Sequence, residues 1–131
     1  MIATIQPDGW AKPKGYANGM LVDGRLYIGG QIGWNADQVF DARDFVGQTE
    51  QALANIVAIV RAAGGEPHHI TRLTWYVIDK KEYLARQREV GEAYRRVMGR
   101  HFPVMTMVVV AGLIEDAALV EIEAMAELGP G

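Results

Sequence analysis

The spacing of apolar positions along this chain switches between two and about three and a half residues, and each switch predicts an element. Met20-Leu21-Val22 and Arg25 to Ile28 flank Asp23-Gly24. Asp-Gly suits a type I′ turn, whose two central residues need positive φ, so the segment predicts a hairpin. Gly29 and Gly30 should end its second strand and let a ligand or another backbone approach closely. Between residues 44 and 63, Phe45, Thr49, Ala52, Ile56 and Val60 recur at spacings of four, three, four and four, the stripe of an amphipathic helix. Asp44 is placed to cap it and Gly64-Gly65 to stop it. Residues 70 to 78, ITRLTWYVI, return to the period of a strand, with Leu73, Trp75 and Val77 on one face and Arg72, Thr74 and Tyr76 on the other.

A second helix is expected from Asp79, where Asp79-Lys80-Lys81-Glu82 has the form of a capping box. Tyr83, Gln87, Val90, Tyr94 and Val97 make its buried stripe, and Gly99 ends it. Gly91 lies inside this helix at a cost of ~1 kcal/mol relative to Ala, and close packing on a sheet is the expected compensation. Strands follow at about Met105 to Val110 and Leu119 to Glu127. Residues 6 to 19, rich in Gly and Pro, read as an ordered loop. The order strand-strand-helix-strand-helix-strand-strand predicts an α+β layer with both helices on one face of a sheet. In the last strand Val120, Ile122, Ala124 and Ala126 suit the helix side, whereas Leu119, Glu121, Glu123 and Met125 share the other. Met105, Met107 and Val109 are expected to join that second face. It is then too apolar to face water, and self-association is the expected cover.

Composition narrows the possibilities. The 131 residues are half apolar and 22% charged, which predicts one globular domain with a core of its own. There is no cysteine, so disulfides, thiolate metal sites and a cysteine nucleophile are excluded. The formal charge is −3 and the pI about 5.6, a poor match for phosphate-driven nucleic-acid binding. Arg95, Arg96, Arg100 and His101 cluster, but they read as the solvated end of a helix, where cations suit the dipole. The N-terminus MIATIQPDGW lacks the basic and long apolar regions of a secretory signal. No apolar run approaches a membrane span. The expectation is a cytoplasmic protein with neither membrane nor nucleic acid as partner.

Four segments carry a family resemblance: KGYANG at 14 to 19, GGQIG at 29 to 33, QTEQALANIVAIVRAAG at 48 to 64, and the ending that runs from Phe102-Pro103 to EIEA at 121 to 124. Together they make the chain resemble the YjgF/YER057c/UK114 family, also called the Rid family, from about Lys14 to Ala126. The resemblance implies the chorismate mutase-like (YjgF) fold. It also implies a homotrimer whose sheets form a central barrel and whose small-molecule sites lie in clefts between subunits.

The same resemblance nominates site residues. Glu121 matches the family glutamate that positions and activates a water; a carboxylate in such an apolar setting should have a raised pKa, suited to proton transfer near neutrality. Glu123, two residues on, reads as an interface acceptor or second acid. Tyr16 matches a site-lining tyrosine, and Gly30 and Gln31 match a backbone turn that contacts substrate. Enamine and imine deaminases of the family carry an arginine two residues after the proline, where it grips a carboxylate in a bidentate fork. This chain has Met105 there. Losing such a partner typically costs ~2–5 kcal/mol, so Met105 and Met107 read instead as an adaptable apolar wall. Arg88 falls where deaminases often have an asparagine, and is the candidate to replace the lost anchor. Trp34 is placed to close over a ring-shaped ligand or to pack in its loop. His68-His69 point apart on extended backbone and read as surface. No metalloprotease, P-loop, dinucleotide or nucleophile-elbow pattern is present, so no metal and no organic cofactor are expected. The function implied is a hydrolase, an enamine or imine deaminase acting on a small apolar or aromatic metabolite. The alternatives are a non-catalytic ligand-binding trimer and, less favoured by the charge, an RNA-cleaving translation inhibitor.

Overall fold

The computed structural model describes residues 1–130. A six-stranded sheet is built from β1 (Ile2–Ile5), β2 (Gly19–Val22), β3 (Arg25–Ile32), β4 (Ile70–Val77), β5 (Val104–Val109) and β6 (Val120–Glu127). Their order across the sheet is β1-β2-β3-β6-β4-β5. Only β4 and β5 are parallel, joined by the crossover that carries the later helices; every other pair is antiparallel. The fold is therefore α+β with a mixed sheet, as the order of patterns predicted. Helix α1 (Phe45–Ala62) is capped by Asp44, whose carboxylate accepts from Gly47 N at 2.9 Å. It lies on β3 and β6 and packs beside α3 (Gln87–Met98).

The core forms between α1 and the sheet. Leu53, Ile56, Ile59 and Val60 from the helix meet Leu26, Ile28, Leu73, Trp75 and Ile122 from the strands, all buried. Each fully buried large aliphatic side chain contributes about 1.5–3 kcal/mol by leaving water. Alternation in the central strand β6 holds: Val120, Ile122, Ala124 and Ala126 are buried, and Glu121, Glu123 and Met125 are half-buried on the other face. Gln48, wholly buried, ties the start of α1 to the strand. Its Nε2 donates to Ala117 O at 2.9 Å, and its Oε1 accepts from Leu119 N at 2.8 Å.

Several expectations are corrected. A strand precedes the hairpin: β1 pairs with β2 from Ile2↔Val22 to Ile5↔Gly19. Its side chains are mostly exposed, so backbone pairing, which leaves no apolar pattern, holds it. Strand β3 continues through Gly29 and Gly30 to Ile32 instead of ending there. The second helix is two, α2 (Lys80–Ala85) and α3, separated at Arg86 with φ −114 and ψ 17. No Gly or Pro marks this break, and Tyr83 and Val90 stay on the core side across it, so the apolar spacing runs straight through.

The most consequential correction concerns β5. Its parallel register sets Met105 beside Leu73, Met107 beside Trp75 and Val109 beside Val77. Parallel neighbours share a face, so these three residues lie on the helix side, not with Glu121. Val104, Thr106 and Val108 take the open face beside Arg72, Thr74 and Tyr76. Gly91 likewise does not pack on the sheet: a Cβ there would meet only Arg95 Nη1, at 3.5 Å.

Candidate functional site

Glu121 sits on the open face of β6, beside an irregularity in β3. The ladder runs from Ile28↔Ala124 to Gln31↔Ile122, so Gly29 and Gly30 together oppose the single residue Glu123. Such a bulge bends the strand and redirects side chains. The glycines of GGQIG have different tasks. A Cβ on Gly30 would stand 1.9 Å from Glu121 Oε2, so the missing side chain is the space that the carboxylate occupies. A Cβ on Gly33 would stand 2.5 Å from Gln48 Cβ, so that glycine lets α1 close on the strand. A Cβ on Gly29 would meet nothing nearer than 3.5 Å.

Tyr76 on β4 pairs with Glu121 across the ladder, and its hydroxyl donates to Glu123 Oε1. Gly30, Tyr76, Glu121 and Glu123 line an open hollow of ≈ 360 Å³, closed on one side by Val110, Gly112 and Leu113. Burial raises the Glu121 pKa above the usual carboxylate range, and the neighbouring Glu123 charge raises it further. Tyr76 is also raised, first because its neutral hydroxyl donates to Glu123, then by desolvation and the two carboxylates. The result is a graded set. Glu123 is held by a donor, while Glu121 makes no side-chain hydrogen bond among the described residues and prefers its proton more than an ordinary glutamate does. A carboxyl group with that preference and a free oxygen can take a proton from water and return it.

Met105 and Met107 line a separate hollow of ≈ 360 Å³ on the other side of the sheet, between α3 and β5. Leu73, Trp75, Val90, Tyr94, Phe102 and Pro103 complete its apolar walls. Tyr94 stacks on Phe102 with ring centres 5.6 Å apart and an 11° tilt. The Tyr94 hydroxyl donates to His101 O, and burial pushes its pKa up to about 12. Trp75 is buried, and among the described residues its indole N–H has no acceptor. Gln87, Gly91 and Arg95, one face of α3, form the polar edge.

The remaining nominees divide. Tyr16 is exposed in its loop. Gln31 is buried; its amide donates to Asn18 Oδ1 and Gly29 O, both at 3.1 Å, so its side chain holds the loop from the core side. Trp34 tilts against Phe40 at 6.0 Å, and its carbonyl accepts from Asn55 at 2.8 Å, which gives it a packing role. Arg88 is 90% exposed at its side chain, reaches Glu92 at 3.7 Å, and lines neither hollow. Sequence reasoning missed Tyr76, Trp75, Tyr94 and Arg95 as site residues. Tyr76 had a signal, since alternation put it on the face opposite Leu73, but no pattern reveals that β4 neighbours β6. His68 is exposed and His69 half-buried, as a surface reading expects, but they do not point apart: their rings lie 4.1 Å apart, and His69 Nδ1 accepts from Glu66 N at 2.9 Å, closing a short helical turn. Among the described residues no group of three or more His, Cys, Asp or Glu is arranged to hold a metal. None of the helices is long and apolar enough to cross a membrane.

Comparison with known proteins agrees with this architecture. The 2-iminobutanoate/2-iminopropanoate deaminase of Capra hircus is 33% identical over 116 residues, 88% of this chain and 81% of that protein. Among solved structures, TdcF of E. coli with bound serine superposes with a TM-score of 0.81 at 27% identity, covering 95% of this chain and 98% of TdcF. The Rid-family protein YyfA of Yersinia pestis superposes with a TM-score of 0.83 at 28% identity, over 97% and 99% of the two chains. The family profile described as Endoribonuclease L-PSP matches residues 10–128. With nearly its whole length matched and the fold shared, the chain belongs to the endoribonuclease L-PSP family, the YjgF or Rid family.

Proposed function

We propose that this protein is a hydrolase of the enamine/imine deaminase kind, with Glu121 as the group that activates water. The observation that carries the reading is the Glu121 carboxyl: seated in the space left by Gly30, desolvated, and raised in pKa beside Glu123. Glu121 takes a proton from water as the water oxygen bonds to the imine carbon. Glu121 returns that proton to the nitrogen, giving a carbinolamine; the carbinolamine hydroxyl proton is then relayed to the nitrogen as the carbon–nitrogen bond breaks, and ammonia and a carbonyl compound leave. An enamine first gains a proton at carbon to become the imine. The deaminase name of the goat relative supports this reaction class.

The substrate is proposed to be small and rather apolar or aromatic, because Met105 and its neighbours give one hollow an uncharged wall. Within one chain that hollow and the Glu121 hollow lie on opposite faces of the sheet. A homotrimer would bring the β5 side of one copy to the Glu121 side of the next. The open face supports such an assembly, since it exposes apolar groups toward both of its sides, Met20 and Tyr27 on β2 and β3 and Val104 and Val108 on β5. A trimer that binds small molecules without turnover is the second reading. It is favoured by the serine bound to TdcF and by methionine at the position of the family arginine.

Ammonia release from freshly generated carboxylated and aromatic imines separates the two. Turnover by the native protein that is lost in Glu121→Gln supports the deaminase. Turnover only in Met105→Arg overturns it in favour of the binding trimer.

A further inference from the structure

We propose that the hollow between α3 and β5 takes a small carboxylate with an aromatic or bulky apolar body, and that Arg95 is its anion anchor. The assignment rests on the ligand-binding part of the reading above and not on turnover. The hollow, ≈ 360 Å³, falls within the range of small-molecule sites, roughly 300–1,000 Å³. Its walls are mostly aromatic and thioether side chains. Trp75 forms the base, Met105 and Met107 the strand side, and the stacked pair Tyr94 and Phe102 the flank. Methionine sulfur against an aromatic edge is a favourable contact. Phe102 remains 69% exposed despite the stacking, a large apolar surface left facing out.

The charge at the rim differs from that of its neighbours on the helix. Arg86, Arg88 and Arg96 on the same helical segment each pair with a carboxylate: Glu82 and Glu89, Glu92, and Glu50. Among the described residues Arg95 has no carboxylate within 4.0 Å. No Asp or Glu lines the hollow, so an anion entering it meets one cation and no like charge. Gly91 makes this possible. Arg95 Nη1 lies 3.5 Å from where a Gly91 Cβ would be, so the guanidinium folds back along α3 over the glycine toward the hollow. A larger side chain at 91 would fill that space. A helical glycine with no close neighbour to justify it is thereby explained: it keeps the slot open.

Calorimetry with 3-phenylpropanoate, 3-phenylpropanamide and propanoate tests this. The native protein should bind the aromatic acid about tenfold more tightly than its amide, as a charge-assisted bond implies, and more tightly than propanoate, which lacks the ring. Arg95→Gln should erase the difference between acid and amide, and Arg95→Lys should restore part of it. Gly91→Leu should abolish binding of both aromatic probes without lowering the melting temperature. Equal binding of acid and amide by the native protein, an unchanged acid affinity in Arg95→Gln, or no binding of any probe would overturn the assignment. Ammonia release is read separately. Its absence with acid binding retained sinks only the deaminase reading, and lost acid selectivity with ammonia release intact sinks only this one.

Discussion

At the scale of single residues, Gly30 and Glu121 act as one unit. The atom that a Gly30 Cβ would strike is the end of a flexible side chain, so Glu121 can swing aside at modest cost. Gly30→Ala should therefore change stability by no more than about 1 kcal/mol while cutting imine hydrolysis at least tenfold. Paired urea melts and ammonia assays check this, and an active Gly30→Ala protein would show that the carboxylate position is irrelevant. The raised pKa of Glu121 has a definite sign in stability. A carboxyl that titrates higher folded than unfolded loses stability as pH rises from the unfolded value, about 4.3, through the folded one. Glu121→Gln removes that loss. The variant should melt above the native protein at pH 7, and the gap should close as pH falls below 4. A gap independent of pH would mean that Glu121 is not desolvated. The rate of imine hydrolysis should rise across the same window, as Glu121 ionises to its basic form.

Elements are joined here by single side chains more than by loops. Gln48 spans α1 and the lead into β6 through a donor and an acceptor bond, with no exposed surface. Its truncation orphans Leu119 N and Ala117 O and leaves a void. Gln48→Ala should cost ~2–4 kcal/mol, read as a lowered urea midpoint. Helix α3 gives the opposite case. Gly91→Ala adds a methyl at ordinary contact distance from Arg95 and removes helical glycine, so it should stabilise by up to ~1 kcal/mol. Most of the elements were legible. The caps, the hairpin turn and the alternation of β6 are local, and the chain states them directly. The Arg86 break and β1 were not legible, because one lacks a breaker residue and the other lacks a buried face.

For the whole molecule, the proposed trimer would let a second copy join the two hollows, which lie on opposite faces of the sheet within one chain. Sedimentation equilibrium should give three times the 14.4 kDa chain mass. Val108→Glu, placing a charge on the open face beside Tyr76, should shift the protein toward monomer and remove ammonia release together. A stable native monomer with full activity would end the shared-cleft picture.

The sequence by itself determined the fold class, the family, the residues of the core stripes and the face on which Glu121 lies, because each follows from local periodicity or from motifs read along the chain. Tertiary structure alone decided which strands are neighbours. The parallel pairing of β5 with β4 turned Met105 and Met107 to the helix side, and the pairing of β4 with β6 brought Tyr76 to Glu123. Strand order and register depend on contacts between segments far apart in the chain, and a one-residue change in register exchanges the two faces. Patterns confined to one strand hold no record of that choice.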